Sequence, residues 1–149
     1  MPKRRDAGAF TIRAVNAQDD SVARILRDMH ERVFDDTAPQ IEPAEGHWWI
    51  AWKGDSPAGF AGLRISSTPD TGYLHRVGVL PWARGNGLQV KFIRAREAKA
   101  RELGLKRMVS DTTANIPSAN SLIRAGYHLF SPITKWAFGD DSLYWEKAL

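Results

Sequence analysis

Cysteine is absent from this chain of 149 residues. Its absence excludes a disulfide framework, a thiolate nucleophile and a thiolate metal site. It fits a reducing cytoplasm without requiring one. Long apolar runs are also missing, and none approaches the roughly 20 residues needed to span a bilayer. The basic start, Met1-Pro2-Lys3-Arg4-Arg5, is not followed by an apolar core, so it does not read as a secretory signal. Residues 1–9 are expected to form a flexible tail and residues 10–149 a single domain. His30, His47, His75 and His128 show no spacing by which side chains gather around a metal, and no metal is expected. No Gly-x-Ser-x-Gly occurs, which leaves a serine triad unsupported. There is no internal repeat, low-complexity tract or linker.

What is present is ordinary for a globular domain: 43% hydrophobic and 26% charged residues. The length is enough to bury a sizeable core. Net charge is +4 and the pI about 9.6. Such a balance suits an anionic ligand, and it suits nucleic acid equally.

Phe10 to Val15 alternates apolar and polar residues as a half-buried strand does. Asp19 or Asp20 can cap the helix after it. Val22, Ile25, Leu26, Met29 and Val33 recur there at helical spacing, so one face is core. From Asp35 to Gly46 the pattern stops, broken by Pro39 and Pro43. Asp35, Asp36, Glu42 and Glu45 make this stretch an acidic loop. His47 to Lys53 and Ala58 to Ile65 read as a hairpin, with Trp48 and Trp52 on one face and Trp49 on the other. Tyr73 to Leu80 is the next strand. The main helix runs from near Gly87 to Gly104, a natural C-cap. Its Lys91, Arg94, Arg96, Lys99 and Arg101, interleaved with Glu97 and Glu102, read as a solvated basic face. Lys106 to Thr112 is a strand. Asn115 opens a helix with proline in its first turn. Tyr127 to Ser131 and Ser142 to Lys147 make a closing strand pair, joined by a loop holding Trp136 and Phe138. The order β-α-β-β-β-α-β-α-β-β implies an α/β fold, a mixed, predominantly antiparallel sheet flanked by helices.

The stretch that organises the chain is a strand, a tight glycine turn and a helix: Val77-Gly78-Val79-Leu80-Pro81, then Arg84-Gly85-Asn86-Gly87-Leu88-Gln89. Glycines let successive N–H groups turn inward, and the helix start adds unpaired N–H groups and the positive end of its dipole. Read alone, the turn is either a cradle for a pyrophosphate or a plain strand-to-helix turn. It lacks Gly-Lys-Ser/Thr, so it is not a Walker loop, and Val90 stands where the dinucleotide fingerprint needs a third glycine.

The turn resembles motif A of the GNAT superfamily of N-acetyltransferases, Gln/Arg-x-x-Gly-x-Gly/Ala, with Arg84 in the first position and Gly87 in the fourth. Gln89 holds the sixth, where the family has Gly or Ala, and a side chain there could crowd the pyrophosphate. Val77 to Pro81 looks like the family's fourth strand. Asn115 precedes Gly126-Tyr127 much as the family's asparagine precedes its Gly-Phe. The resemblance covers about Phe10 to Lys147 and implies a GNAT-like acyl-CoA N-acyltransferase fold. It also implies direct transfer of an acetyl group from acetyl-CoA, as cosubstrate, to a primary amine of a small molecule or peptide. Val77, Val79, Arg84, Gly85, Asn86, Gly87, Leu88, Gln89, Asn115 and Ser118 are then the expected cofactor contacts, with the backbone N–H near Val79 as oxyanion donor.

Many family members carry a tyrosine on the helix after the asparagine as the acid for the leaving thiolate. Leu122 stands at that position here, and Tyr144 or Tyr73 is the substitute. The base is expected to be His75. Alternation places Tyr73, His75, Val77 and Val79 on one face of their strand, and one member of the superfamily uses a histidine at the matching offset. Its ordinary pKa near 6.5 would give an acidic limb near pH 6–7. The acidic loop favours a cationic acceptor. The alternatives are a non-catalytic acyl-CoA-binding domain on the same fold, suggested by Leu122 and Gln89, and a basic nucleic-acid-binding module. No membrane partner is expected, and a homodimer is left open.

Overall fold

The computed structural model describes residues 9–34, 38–137 and 140–149. Asp35, Asp36 and Phe138 lie outside the described residues, as does the expected tail apart from Ala9. The elements follow the expected order. Strand β1 (Thr11–Val15) leads into helix α1 (Asp20–Phe34). Asp19 starts α1, its carboxylate accepting from the Ser21 N–H at 2.9 Å and from the Ser21 hydroxyl at 2.7 Å. Strands β2 (His47–Lys53), β3 (Ser56–Ile65) and β4 (Thr71–Val79) form a meander. A 3₁₀ turn, Pro81–Ala83, joins β4 to helix α2 (Leu88–Glu102). Then come β5 (Arg107–Thr112), helix α3 (Ile116–Arg124), β6 (His128–Leu129) and β7 (Leu143–Ala148). The closing pair is shorter than expected, because only His128 and Leu129 pair with β7. A two-residue edge strand offers little unpaired backbone to another chain.

The seven strands make one sheet in the order β1-β2-β3-β4-β5-β7-β6. Every neighbouring pair is antiparallel except β4 and β5, which the α2 connection makes parallel. Helix α1 packs on one face of the sheet, where Leu26, Met29, Trp48, Ile50 and Phe60 are buried together. On the other face lie α2 and α3, over Trp49, Ala51, Leu63, Phe92, Met108 and Trp145. The division of the tryptophans follows the period of two: Trp48 and Trp52 face α1, and Trp49 faces α2. The irregularity in this hairpin falls on β3, so β2 keeps its alternation.

The basic face of α2 is not wholly solvated. Arg96 and Glu97 are both buried. Arg96 donates to the Phe92 and Gly62 carbonyls, each at 3.1 Å, and Lys147 Nζ lies 3.2 and 3.0 Å from the two Glu97 oxygens. Buried charges of this kind are tolerated because each has partners.

Contact between α1 and the sheet is close at Gly78. A Cβ there would sit 2.5 Å from Phe60 Cε1 and 3.1 Å from Val33 Cγ2, and Phe60 is fully buried. Gly78→Ala should therefore destabilise the fold by about 1–3 kcal/mol through overpacking. Chemical denaturation would check this; an unchanged midpoint would show that the two layers can part at no cost.

Candidate active site

Strands β4 and β5 are paired only from Thr71↔Arg107 to Tyr73↔Val109. Beyond that point β4 stays with β3 and β5 stays with β7, so the two parallel strands part at their carboxyl ends. The gap is a cleft of about 600 Å³, walled by β4, β5 and the first halves of α2 and α3. Crevices at the carboxyl ends of parallel strands are a recurrent ligand position, because the diverging strands leave backbone groups and side chains facing a shared space.

Strand β4 also carries one residue too many. Its register against β3 runs Ala61↔Val77 and then Gly62↔His75, which leaves Arg76 unpaired. Arg76 has φ 37, a left-handed conformation rare for a non-glycine residue. It is a β-bulge, and it breaks the alternation that the sequence implied. Val77 and Val79 pack with the α2-side core. His75 instead sits on the α1 side, with ring centroids 5.7 Å from Trp48 and 5.8 Å from Tyr73. The expectation that His75 shares a face with Val77 and Val79 is thus corrected, and the physical reason is the extra residue between them. The ladder with β3 is interrupted at Arg76 and resumes through Val79, while the ladder with β5 ends at Tyr73. Gly62, opposite the bulge, has no side chain, and its carbonyl accepts from buried Arg96. Burial brings the Arg96 pKa down to about 10, with Tyr127 and Glu97 opposing the fall.

The glycine turn lies between the 3₁₀ turn and α2. Gly85 and Gly87 have φ of 81 and 70, and a Cβ on either would meet open space. The requirement for glycine is therefore conformational. No side chain caps α2, so the N–H groups of its first turn remain open. Two predicted contacts act within the loop. Arg84 Nε donates to the Val79 carbonyl at 3.2 Å, and the Asn86 amide donates to the carbonyls of Ala83 and Arg84 at 2.9 and 3.2 Å. Leu88 anchors the helix start in the core.

Of the residues expected from the sequence, the cleft brings together His75, Val77, Gln89, Asn115 and Ser118. Asn115 caps α3, its side-chain oxygen accepting from the Ser118 N–H at 3.1 Å. Leu122 lines the same wall. Val79 is buried and does not line the cleft. Neither does Tyr144, whose hydroxyl accepts from the Ala137 N–H at 3.1 Å and whose ring lies 4.6 Å from that of Trp136. Tyr144 holds the loop in place; of the two substitutes for the missing acid, Tyr73 is the one in the cleft.

Sequence reasoning missed Asp111. It stands near the end of β5, and its Oδ1 accepts from the Tyr73 hydroxyl at 2.6 Å and from Trp136 Nε1 at 3.4 Å. Burial, and then the Asp111 charge, push the Tyr73 phenol well above its ordinary range, so it stays protonated. The available signal was the one carboxylate of this strand, shortly before Asn115. A second groove, about 910 Å³, shares Arg64, Tyr73 and Trp136 with the cleft and runs under the loop from Phe130 to Trp136. Neither described carboxylate of the acidic loop lines the cleft. Glu45 is paired with Arg64 at 2.8 Å, and Glu42 is exposed.

The sequence matches the model of the acetyltransferase (GNAT) family over residues 15–127. No curated protein matches it by sequence. Solved structures share the fold at low identity, among them the following three. The IAA acetyltransferase from Bacillus cereus is 15% identical, with a TM-score of 0.74 over 95% of this chain and 100% of that one. The Salmonella typhimurium protein yncA, with its cofactor acetyl-CoA, is 18% identical, with a TM-score of 0.68 over 94% of each chain. The ribosomal-protein-S18-alanine N-acetyltransferase from Escherichia coli is 12% identical, with a TM-score of 0.70 over 94% of each.

A buried imidazole, His30, and a half-buried one, His75, lie on the α1 side. Burial first, and then the positive charges of Arg64 and Arg76, bring His75 down to about 3. Burial and Arg76 bring His30, stacked 4.7 Å from Phe34, down to about 4. Both shifts run toward the neutral imidazole, so an acidic limb from either group would fall below the expected pH 6–7. As pH falls below 6.5 the unfolded chain binds protons that the folded chain refuses, so stability is lost from about pH 6.5 down to about pH 4. Each imidazole should cost on the order of 1–2 kcal/mol by pH 5. Denaturation at pH 7 and pH 5 should show a smaller loss in His30→Phe and in His75→Gln; an identical loss in the double variant would place the acid sensitivity elsewhere.

Proposed function

The chain belongs to the GNAT acetyltransferase family, and we propose that it moves an acetyl group directly from acetyl-CoA to a primary amine of a small molecule or peptide. The observation that carries this reading is the cleft between β4 and β5, with an uncapped helix start and a two-glycine turn beside it. The pyrophosphate would lie on the N–H groups of residues 85–89, where the helix dipole favours an anion. Asn115, Ser118 and Gln89 would line the path of the arm that carries the thioester. In this reading Gln89 is a contact at the edge of the cleft rather than an obstruction.

The chemistry asked of the protein is modest. The amine must be held against the thioester carbonyl, and that positioning can supply much of the acceleration. The oxyanion needs a donor, and a main-chain N–H of β4 near the Arg76 bulge would supply it. With Leu122 in place of a tyrosine, the thiolate leaves without an acid on that wall. His75 would be a poor base, because its surroundings hold its proton affinity low. Leu122 also favours a second reading, a domain that binds acyl-CoA without turning it over. Thiol release from acetyl-CoA with a panel of amines separates the two.

Acetyl-CoA should raise the melting temperature by mass action. Gly87→Val should weaken its binding at least tenfold, about 1.4 kcal/mol, because a β-branched residue resists φ near 70. Calorimetric titration would check it. An unchanged affinity would take the pyrophosphate away from this turn. Gln89→Gly, measured alongside, should loosen binding if the amide side chain is a contact and tighten it if Gln89 obstructs.

A further inference from the structure

We propose that Asp111 is the seat of the acceptor's ammonium group and takes its proton, with Tyr73 and Trp136 as the residues that position it, and that the acceptor is a cationic amine on an apolar or aromatic stem. This rests on the acetyl-transfer reading and adds to it the base and the class of acceptor. Among the described residues Asp111 is the one carboxylate lining the cleft. Its Oδ1 is fixed by Tyr73 and Trp136, while Oδ2 has no partner among the described residues. The acids nearby are spent: Glu45 on Arg64, and Glu146 on Arg107, each at 2.8 Å. The charged or titratable groups that line the cleft with Asp111 are Arg64 from β3, Tyr73, His75 and Arg76 from β4, and Arg96 from α2. Arg64 is held by Glu45, Arg76 lies 5.5 Å from the centre of the Phe34 ring, and Arg96 is bonded to main-chain carbonyls. A cation arriving in the cleft therefore finds one carboxylate with a free oxygen.

The rings around that carboxylate suit a cation. Tyr73 and Trp136 meet at 84° with centroids 6.4 Å apart, and Phe130 lies 6.2 Å from Trp136. An ammonium is attracted to aromatic faces as well as to the carboxylate. The rest of the acceptor has a place to lie. The adjoining groove shares Tyr73 and Trp136, offers Ile65, Val109 and Ile133 as apolar walls, and at about 910 Å³ is at the upper end of the usual size for small-molecule sites.

The step balances as follows. The acceptor ammonium gives one proton to Asp111 Oδ2 and becomes a neutral amine. Its lone pair forms the C–N bond to the thioester carbonyl, and the C–S bond breaks. The second nitrogen proton leaves as the amide forms and ends on the thiolate, giving free CoA. The proton on Asp111 returns to water.

The test uses the intact protein with two amines: phenethylamine, an ammonium at neutral pH, and 2,2,2-trifluoroethylamine, which is largely neutral there. Asp111→Asn should leave the acetyl-CoA thermal shift unchanged and lower kcat/KM for phenethylamine by about 10²-fold, the usual scale for an acid–base group. It should spare trifluoroethylamine, which needs no proton removed before attack. Trp136→Leu, at a half-exposed position, should weaken phenethylammonium binding to the CoA-loaded protein by about threefold to tenfold, in line with a lost cation–π contact. Equal losses for both amines in Asp111→Asn, or no loss, would overturn the assignment and leave the transfer reading intact. If the wild type turns over neither amine, yet binds phenethylammonium in a manner abolished by Asp111→Asn, the transfer reading and the base role fall, while the cation seat stands. If the CoA-loaded wild type neither binds nor acetylates phenethylamine, the seat itself is overturned.

Discussion

Strand β4 is hydrogen-bonded to β5 over Thr71–Tyr73 and then to β3 alone, and it takes in one extra residue, Arg76, as it leaves. Backbone N–H and C=O groups must find partners, so a strand can abandon a neighbour only where something else can be reached. Here the space opened by the parting strands is the cleft. The bulge then turns the second half of β4 over. Val77 and Val79 become core for α2, while Tyr73 and His75 face the α1 side. The cleft thus has two differently furnished sides. One carries Gln89, Asn115 and Ser118, with the glycine turn beside it; the other carries Tyr73, Asp111 and Trp136.

The arrangement is supported from beneath. Arg96 reaches from α2 to the Gly62 carbonyl opposite the bulge, and Glu97 on the next position is held by Lys147 of β7. A buried guanidinium and a buried carboxylate on consecutive residues would be costly without partners. With them, α2 is tied both to the bulged strand pair and to the far strand β7, across the gap. Desolvation, and then the positive charge of nearby arginines, lowers the pKa of His30 and His75 in the same region. Within the cleft Asp111 is the one carboxylate among the described residues.

Much of the fold was legible. Period-two and period-3.6 patterns placed every strand and helix to within a few residues, because those periods follow from backbone geometry whatever the tertiary context. The tryptophan faces of β2 came out as alternation implied, since no residue was inserted there. The same rule failed on β4. An inserted residue leaves no mark in a hydrophobic pattern, and Arg76 carries none of the glycine or asparagine signature of a left-handed position. Arg96 and Glu97 were read as solvated because helical charges usually are; only the packing of α2 against β3 and β7 turns them inward.

The sequence by itself determined the order of elements, the glycine turn before α2 and the Asn115 cap, each a matter of residues close together in the chain. It also determined that Leu122 cannot donate a proton. Tertiary structure alone decided which side of the sheet His75 faces, that Tyr144 serves the loop rather than the cleft, and that Tyr73, Asp111 and Trp136 meet. Those three come from β4, β5 and the loop after β6: the pairing of β4 with β5 brings Tyr73 near Asp111, and the loop that Tyr144 holds brings Trp136. Register between distant strands is set by the whole core, so no local pattern could have announced it.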